Sequence, residues 1–143
     1  MKAKFVDYFM DVADRTALMS TAKRLQVGAV AVRDRRIIAC GYNGTAPGED
    51  NICEETLEDG STKTKDSVFH AEKNLILFSE RESINIVDCI LFVTHSPCEA
   101  CALEIIRAGF CMVIYKHAYR CRNGIEMLIG KMPTIPYEVG MSF

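Results

Sequence analysis

Two short motifs contain the residues best suited to chemistry in this sequence. One is His70-Ala71-Glu72, and the other is a PCEAC pentapeptide that holds Cys98 and Cys101. Imidazole nitrogen and thiolate sulfur are both good ligands for zinc. Three such ligands, from His70, Cys98 and Cys101, would leave a fourth coordination position for water, which is typical of a catalytic zinc site. We therefore predict one catalytic zinc per chain, with Glu72 beside it as a proton carrier.

Each motif stands where a helix is predicted to begin, over 71–82 and over 98–108. The second helix begins after a proline and ends before a glycine. The positive end of a helix dipole favours thiolate, the form of cysteine that binds metal. Residues two apart in a regular helix do not face one another. His70 and Glu72 can therefore converge only if His70 lies in or before the first turn.

Other interpretations of the two motifs remain open at this point. A lone Cys-x-x-Cys can be a redox pair or half of a structural zinc site, and His-x-Glu occurs by chance. The chain could be a structural zinc protein with four protein ligands, or a module that binds zinc or nucleotide without catalysis. No second Cys-x-x-Cys is present, and a binding module has no need of a proton carrier such as Glu72. Both points favour catalysis.

The rest of the pattern predicts one domain over residues 1–143. Before the 71–82 helix we expect a helix over about 4–20, strands at 27–33 and 37–42 joined by a turn at 34–36, and a polar stretch over 43–67. A strand at 89–94 should lie between the two helices named above. After the 98–108 helix we expect a strand at 112–115, a helical turn or two at 124–129 and a weak strand at 135–139. A hairpin followed by strand–helix alternation predicts one mixed sheet with helices on its faces.

Composition excludes several classes of partner. The net charge is -2 and the sequence pI about 5.9, whereas proteins that bind long nucleic acid usually carry a basic excess. No stretch is long and apolar enough to span a membrane, and the N-terminal region has no signal-peptide pattern. The odd count of seven cysteines favours a reducing compartment. We expect a cytoplasmic protein with a small ligand.

Five blocks of sequence resemble, in order and spacing, those of deoxycytidylate (dCMP) deaminases. They are VGAV, GYNG, HAEKN, VTHSPCEAC and AGFCMVIY, and the resemblance covers almost the whole chain. His-x-Glu followed by Pro-Cys-x-x-Cys is the pattern of zinc deaminases in general. GYNG separates the dCMP enzymes from cytidine deaminases and tRNA adenosine deaminases, which remain the alternative enzymes. The resemblance implies an α/β, three-layer α-β-α fold with one mixed five-stranded sheet.

The resemblance also implies hydrolysis of dCMP to dUMP and ammonia, which supplies dUMP for thymidylate synthesis. Zinc would lower the pKa of a water molecule, and Glu72 would carry its proton to the ring nitrogen and then to ammonia. The implied substrate contacts are Asn43 at the sugar and ring, the Ala71 backbone and Ser96 carbonyl at the cytosine edge, and Arg24, Tyr119 and Arg120 at the nucleotide. The alternatives are a turn residue in a glycine-rich loop for Asn43, ordinary packing for Tyr119 and a solvated surface position for each arginine.

Regulation is the last implied property. The resemblance implies activation by dCTP and inhibition by dTTP, with Mg²⁺, in an oligomer that is often hexameric. We predict an effector site at Tyr42, Gly44, Asp50 and Arg81, with Mg²⁺ near acidic residues of the 43–67 stretch, among them Glu49, Asp50 and Glu54. Arg81 lies eleven residues after His70, roughly 16 Å along a helix. That distance is too long for Arg81 to bind the phosphate of a substrate whose base lies at the zinc, so Arg81 suits a second ligand. The alternative is a surface ion pair of Arg81 with Glu80 or Glu82.

A second, structural zinc is not expected. Some dCMP deaminases hold one through extra cysteines and histidines around the long polar loop. The corresponding stretch of this chain contains only Cys53 and no histidine before His70.

Overall fold

The computed structural model describes residues 1–143 and contains four helices and seven strands. In chain order these are α1 (Ala3–Ala17), β1 (Gly28–Arg33), β2 (Arg36–Tyr42), β3 (Glu54–Thr56), β4 (Thr62–Thr64), α2 (Ala71–Arg81), β5 (Ile90–His95), α3 (Glu99–Ala108), β6 (Met112–His117), α4 (Asn123–Ile129) and β7 (Thr134–Pro136). None of the helices is both long and apolar enough to span a membrane.

One mixed sheet organises the molecule. Its strand order is β2-β1-β5-β6-β7, with β1 antiparallel to both neighbours and β5, β6 and β7 parallel. Asp34 and Arg35 form the tight turn between β1 and β2, both with positive φ. Such angles match the twist of a two-residue hairpin. The expected mixed five-stranded sheet is confirmed.

Helices cover both faces of this sheet and give the expected three layers. Helix α1 packs Val6, Phe9 and Met10 against one face, where Val30 and Phe92 lie fully buried. The other face is covered by α2, α3 and α4, whose buried side chains meet the alternate residues of the same strands. Strand β1 is buried on both sides, which explains its uninterrupted apolar sequence.

The polar stretch between β2 and α2 is an insert with its own small structure. Gly44 and Phe69 exchange backbone hydrogen bonds of 3.1 and 2.9 Å, and this pairing closes the insert at its base. Within it, β3 and β4 form a short antiparallel hairpin. Both strands are polar and mostly exposed, so they lack the alternation that would have predicted them. The closure also brings His70 close to Asn43.

The two predicted boundaries with the largest errors are the end of the last strand and the end of α1. The last strand is Thr134–Pro136 rather than 135–139, because it pairs with β6 only along three residues and Val139 beyond it is 85 % exposed. Helix α1 ends at Ala17 rather than near residue 20. There the chain turns so that the Ser20 hydroxyl can donate to the Asn43 carbonyl at 2.7 Å.

Candidate active site

Three potential zinc ligands converge where two helices begin. His70 is the residue before α2, Cys98 is the residue before α3, and Cys101 lies in the first turn of α3. Their ligand atoms all lie within 4.8 Å of one another. The Nδ1 atom of His70 is 3.5 Å from the Cys98 sulfur and 3.3 Å from the Cys101 sulfur.

These distances fit a tetrahedral zinc site. Zinc–sulfur bonds of about 2.3 Å and zinc–nitrogen bonds of about 2.0 Å, at tetrahedral angles, separate sulfur from nitrogen by roughly 3.5 Å. The cluster contains three protein ligands and no fourth. The donor set therefore matches zinc with one position left open, as expected of a catalytic site and not of a four-ligand structural site.

Cys98 and Cys101 shift each other's pKa in opposite directions. Hydrogen bonds from the Cys101 thiol and from the His70 imidazole lower the pKa of Cys98 to about 3. The same contact with Cys98, together with burial, raises the pKa of Cys101. A cation bound by both sulfurs would favour the thiolate form of each, since metal ligands must lose their protons.

Glu72 lies in the first turn of α2 and is only 4 % exposed. It lines the same cavity as His70 and Cys98, as required for a proton carrier beside the metal. Burial raises the pKa of its carboxyl to about 7. A cation bound at the neighbouring cluster would lower that pKa again. A carboxyl that titrates near neutral pH can both accept and return a proton.

The cavity beside the cluster has a volume of about 150 Å³. Of the residues predicted to contact substrate, Asn43, Ala71 and Tyr119 line it, whereas Ser96, Arg24 and Arg120 do not. An apolar cavity of about this volume accommodates a six-membered ring. The space therefore suits a pyrimidine ring, and a sugar and phosphate would have to extend beyond it.

Asn43 and Ser96 also hold the cavity walls together. The side-chain oxygen of Asn43 accepts a hydrogen bond from the Val27 amide at 2.8 Å, and its nitrogen donates to the Leu25 carbonyl at 2.8 Å. The fully buried Ser96 accepts through its hydroxyl from the Tyr119 amide at 2.8 Å. Asn43 is thus more than a turn residue, since it fixes the segment that forms one wall.

Arg24 and Arg120 are exposed, each next in sequence to a cavity residue, Leu25 or Tyr119. Neither guanidinium makes an ion pair or a hydrogen bond within the chain, so each is free to bind an anion. Burial raises the pKa of Tyr119 to about 12, and its hydroxyl therefore remains protonated and able to donate at neutral pH.

Sequence analysis missed His95, which also lines the cavity. Its ring lies 5.8 Å from that of Tyr119 and 5.0 Å from that of His117. Burial, then the neighbouring His117, lowers the pKa of His95, so the ring is neutral near pH 7. The sequence could have indicated His95, because it lies at the end of a buried strand and immediately before Ser-Pro-Cys. Leu25, Thr64 and Val68 were missed as well, because their segments carry no periodic pattern.

A second, larger cavity of about 730 Å³ lies along α2, away from the cluster. Tyr42, Gly44 and Arg81 line it, together with Phe69 and Phe78. The residues predicted for an effector therefore meet at this cavity, with one exception, Asp50.

Asp50 does not line the larger cavity, because its carboxylate is used elsewhere. It accepts from the Ile52 amide at 3.1 Å and pairs with Lys65 at 3.4 Å. These hydrogen bonds, that of Ile52 first, lower the pKa of Asp50. Arg81 pairs with Glu82 at 3.3 Å, the surface alternative considered for it.

Comparison with known proteins agrees with this site. A family model described as the cytidine and deoxycytidylate deaminase zinc-binding region matches residues 3–117. The deoxycytidylate deaminase of Mycobacterium phage D29 is 34 % identical over 119 residues, covering 76 % of this chain and 91 % of that protein. ComE operon protein 2 of Bacillus subtilis is 39 % identical over 116 residues, or 79 % of this chain, but the match spans only 59 % of that longer protein.

Among solved structures, the dCMP deaminase of cyanophage S-TIM5, in complex with dCMP and dUMP, superposes with a TM-score of 0.88. It is 37 % identical, with 96 % of this chain and 99 % of that chain covered. The fold is therefore that of a known dCMP deaminase structure, and the matched family model describes a zinc-binding region. The chain belongs to the cytidine and deoxycytidylate deaminase family.

Proposed function

We propose that the chain catalyses the zinc-dependent hydrolytic deamination of dCMP to dUMP and ammonia and so supplies dUMP for thymidylate synthesis. The observation that carries the proposal is the convergence of His70 with Cys98 and Cys101 at 3.3 to 3.5 Å beside a cavity lined by the buried Glu72. Similarity to deoxycytidylate deaminases over most of the chain supports the choice of substrate.

In the proposed mechanism His70, Cys98 and Cys101 hold the zinc. When bound, zinc supplies the Lewis acid that activates water as a nucleophile near neutral pH. Glu72 accepts the proton that the water loses as its oxygen bonds to C4 of cytosine, and delivers it to N3. Glu72 then takes the second proton of that oxygen to the amino group, so that the C4–N4 bond breaks and ammonia leaves. The resulting carbonyl makes the product a uracil.

Substrate recognition is divided between the cavity and the surface around it. The Ala71 backbone and the Ser96 carbonyl would read the edge of the base, and Asn43 would face the sugar while it holds the 25–27 backbone. Tyr119, Arg24 and Arg120 would bind the 5′-phosphate. The two arginines suit this role because guanidinium groups bind phosphate through charge-assisted, often bidentate hydrogen bonds.

Ammonia release from dCMP, deoxycytidine, CMP and a tRNA anticodon stem tests the substrate assignment. We expect dCMP to be preferred, and we expect Arg24→Ala or Arg120→Ala to lower its kcat/KM by about 10- to 100-fold, the scale of one lost charged hydrogen bond. Deoxycytidine should be affected much less. Arg107→Ala, at the far end of α3, is the control. Equal turnover of dCMP and deoxycytidine by the wild type would contradict a nucleotide substrate.

The same assay distinguishes the alternatives. Turnover of the tRNA stem or of cytidine, and not of dCMP, would assign the chain to another deaminase activity of the family. Zinc binding without any turnover would favour a non-catalytic module. The open fourth ligand position and the buried Glu72 both favour an enzyme.

We also propose that dCTP activates and dTTP inhibits through the 730 Å³ cavity lined by Tyr42, Gly44 and Arg81. This cavity is separate from the one beside the ligand cluster, and Arg81 supplies a cation for a triphosphate. Mg²⁺ would then be bound chiefly by the phosphates, since Asp50 is already engaged by Ile52 and Lys65. The two effectors must prefer different conformations, because a ligand that binds two states equally shifts neither.

Saturation curves for dCMP with each triphosphate and Mg²⁺ test the regulatory proposal. In the wild type, dCTP should lower and dTTP should raise the half-saturating dCMP concentration, and Arg81→Glu should abolish both effects without loss of maximal rate. Arg107→Glu is the charge-matched control. Wild-type curves that ignore both effectors would contradict regulation and leave the proposed reaction intact.

We further propose a cytoplasmic homo-oligomer, with a hexamer favoured. Apolar side chains such as Phe78, Leu103 and Ile129 are exposed on the α2–α3–α4 layer and are available for subunit contacts. Analytical ultracentrifugation would measure the stoichiometry, and a monomer at micromolar concentration would contradict this assignment.

A further inference from the structure

The segment between α1 and β1 has no regular secondary structure, yet it forms part of the site. It contributes Leu25 and Val27 to the cavity and carries Arg24. A segment of this kind keeps its shape only if its backbone polar groups find partners elsewhere. Asn43 supplies partners at one end, where it binds the backbone of Leu25 and Val27.

Glu54 supplies the partners in the middle of the segment. One of its carboxylate oxygens accepts hydrogen bonds from the Lys23 amide at 2.9 Å and from the Arg24 amide at 3.2 Å. Hydrogen bonds to an ionised carboxylate are stronger than those between neutral groups. Because Glu54 binds the backbone and not the guanidinium, it fixes Arg24 without neutralising it.

Glu54 is itself held in place by the insert. It is the first residue of β3 and follows the fully buried Cys53, whose carbonyl accepts from the Lys65 amide at 2.8 Å. A further contact ties the same two segments together, since the Thr21 hydroxyl donates to the Asn51 carbonyl at 2.6 Å. The insert also contributes Thr64 and Val68 to the cavity wall, so it adjoins the site on two sides.

We infer that Glu54 is a positioning residue for the nucleotide. Its carboxylate holds the Lys23 and Arg24 backbone so that Arg24 and Leu25 are preorganised for a deoxynucleoside monophosphate. This role makes the β3–β4 insert a support for substrate binding and engages one of the two Glu54 carboxylate oxygens. The identity of the ligand rests on the proposed function, whereas the contact between Glu54 and the Lys23 and Arg24 amides does not.

The effect of losing this contact should fall on binding and not on the chemical step. Both amides are near the surface, so water can replace the carboxylate and the fold should survive. The segment would then sample more conformations, and binding would have to order it again, which weakens affinity. The zinc ligands and Glu72 lie on α2 and α3 and would not move.

The test compares Glu54→Ala, Glu54→Gln and the control Glu55→Ala. Glu55 is the next residue of β3 and pairs only with Lys63, at 3.5 Å. Hydrogen exchange of the Lys23 and Arg24 amides, measured by NMR, reports the contact directly. We expect exchange at both amides to rise at least about ten-fold in Glu54→Ala, as for loss of one charge-assisted hydrogen bond. Glu54→Gln, whose amide oxygen can still accept, should largely restore protection.

Kinetics report the consequence for the site. In Glu54→Ala we expect KM for dCMP to rise about ten-fold with kcat within about two-fold of the wild type. The rise in KM for deoxycytidine should be smaller, because deoxycytidine lacks the phosphate that Arg24 would bind and depends only on Leu25. Glu54→Gln should recover most of the affinity, and Glu55→Ala should match the wild type.

Each failure has a distinct meaning. Unchanged exchange at Lys23 and Arg24 in Glu54→Ala would overturn the inference whatever the substrate is. Faster exchange with unchanged KM would also overturn it, since the contact would then be structural only. A wild-type protein that does not turn over dCMP would contradict the proposed function. The exchange rates of the Lys23 and Arg24 amides would still show whether Glu54 holds the segment.

Discussion

Two properties of Glu72, its burial and its position beside a potential zinc ligand, suit it to carry a proton. It is almost fully buried, and it lies two residues from a potential zinc ligand at the start of a helix. Burial raises the pKa of its carboxyl and a cation at the neighbouring cluster would lower that pKa again, so these two opposing effects set its ability to accept and return a proton. The role of Glu72 can therefore be tested by a substitution that removes only its ability to carry a proton.

Replacement of Glu72 by glutamine should abolish turnover while the fold and the metal are retained. Glutamine is nearly isosteric but cannot carry a proton, and loss of general acid–base catalysis typically costs about 100- to 10,000-fold. Steady-state kinetics and elemental analysis of the same sample measure the two effects. Glu99→Gln, in the equivalent first turn of α3 but exposed, is the control. Near-normal deamination by Glu72→Gln would exclude Glu72 as the proton carrier.

At the scale of elements, the site depends on close packing of helices around it. Gly124 in α4 sits against the turn that carries Cys98. A methyl group added at Gly124 would clash with the Pro97 carbonyl oxygen and lie 2.9 Å from the Cys98 carbonyl oxygen. These are backbone atoms, so they cannot move aside as a flexible side chain could.

We therefore expect Gly124→Ala to destabilise the fold by about 1–3 kcal/mol, the usual cost of overpacking, and to weaken zinc binding. Denaturant titration and a competitive chelator assay measure these effects. Gly130→Ala, at the end of the same helix, is the matched control, because its nearest neighbour would be the Met127 carbonyl oxygen at an ordinary 3.6 Å. Equal stability of the two variants would contradict the packing argument.

Hydrogen bonds of Asp7 connect α1 to the chain beyond β7. Asp7 accepts hydrogen bonds from the Tyr137 hydroxyl at 2.8 Å and the Gly140 amide at 3.0 Å. These contacts, that of Gly140 first, lower the pKa of Asp7. Since the folded state favours the ionised form, the stabilisation is present above the unfolded-state pKa of about 3.9. It is lost as the pH falls through the lower folded-state pKa.

Replacement of Asp7 by asparagine should accordingly lower the thermal midpoint at pH 6. The difference from the wild type should shrink as the pH falls below about 4. Thermal unfolding measured from pH 6 to well below pH 4 tests this expectation. Asp11→Asn, on the same helix but without a hydrogen bond or ion pair, controls for loss of charge. A constant difference at all pH values would contradict ionisation of Asp7 as its cause.

At the scale of the whole molecule, the zinc cluster connects elements far apart in sequence. His70 precedes α2 and the two cysteines begin α3, so a metal held by all three joins the insert and both helices. A ligand that binds only the folded state stabilises it by mass action, on the order of 3–4 kcal/mol when its free concentration is 100 to 1,000 times Kd. Metal content and global stability should therefore change together.

Chelation, or Cys98→Ala, should remove the zinc, abolish activity and lower the thermal midpoint. Elemental analysis and calorimetry on the same protein test this expectation. Cys121→Ala removes an exposed cysteine outside the cluster and should leave metal content and midpoint unchanged. Full zinc occupancy in Cys98→Ala would rule out the proposed ligand set.

Local sequence patterns were sufficient to predict much of the fold and the candidate zinc ligands. Periodicity and helix-boundary residues predicted both helix starts and the five-stranded mixed sheet, because these depend on local patterns of apolar residues, proline and glycine. Residue type and spacing predicted which side chains suit zinc. The β3–β4 hairpin escaped prediction because its strands are polar on both sides, and the last strand was set too long because its end is fixed by its pairing with β6.

How the remaining residues are used depends on tertiary packing. The Gly44–Phe69 pairing brings His70 to Asn43, and burial, a property of the packed state, raises the pKa of Glu72. The fold also adds His95 to the cavity and separates Asp50 from Arg81, and it turns Glu54 toward the Lys23 and Arg24 amides. The contact between Glu54 and Lys23, for example, joins residues 31 positions apart. No local pattern encodes such a contact, because it depends on how separate segments pack.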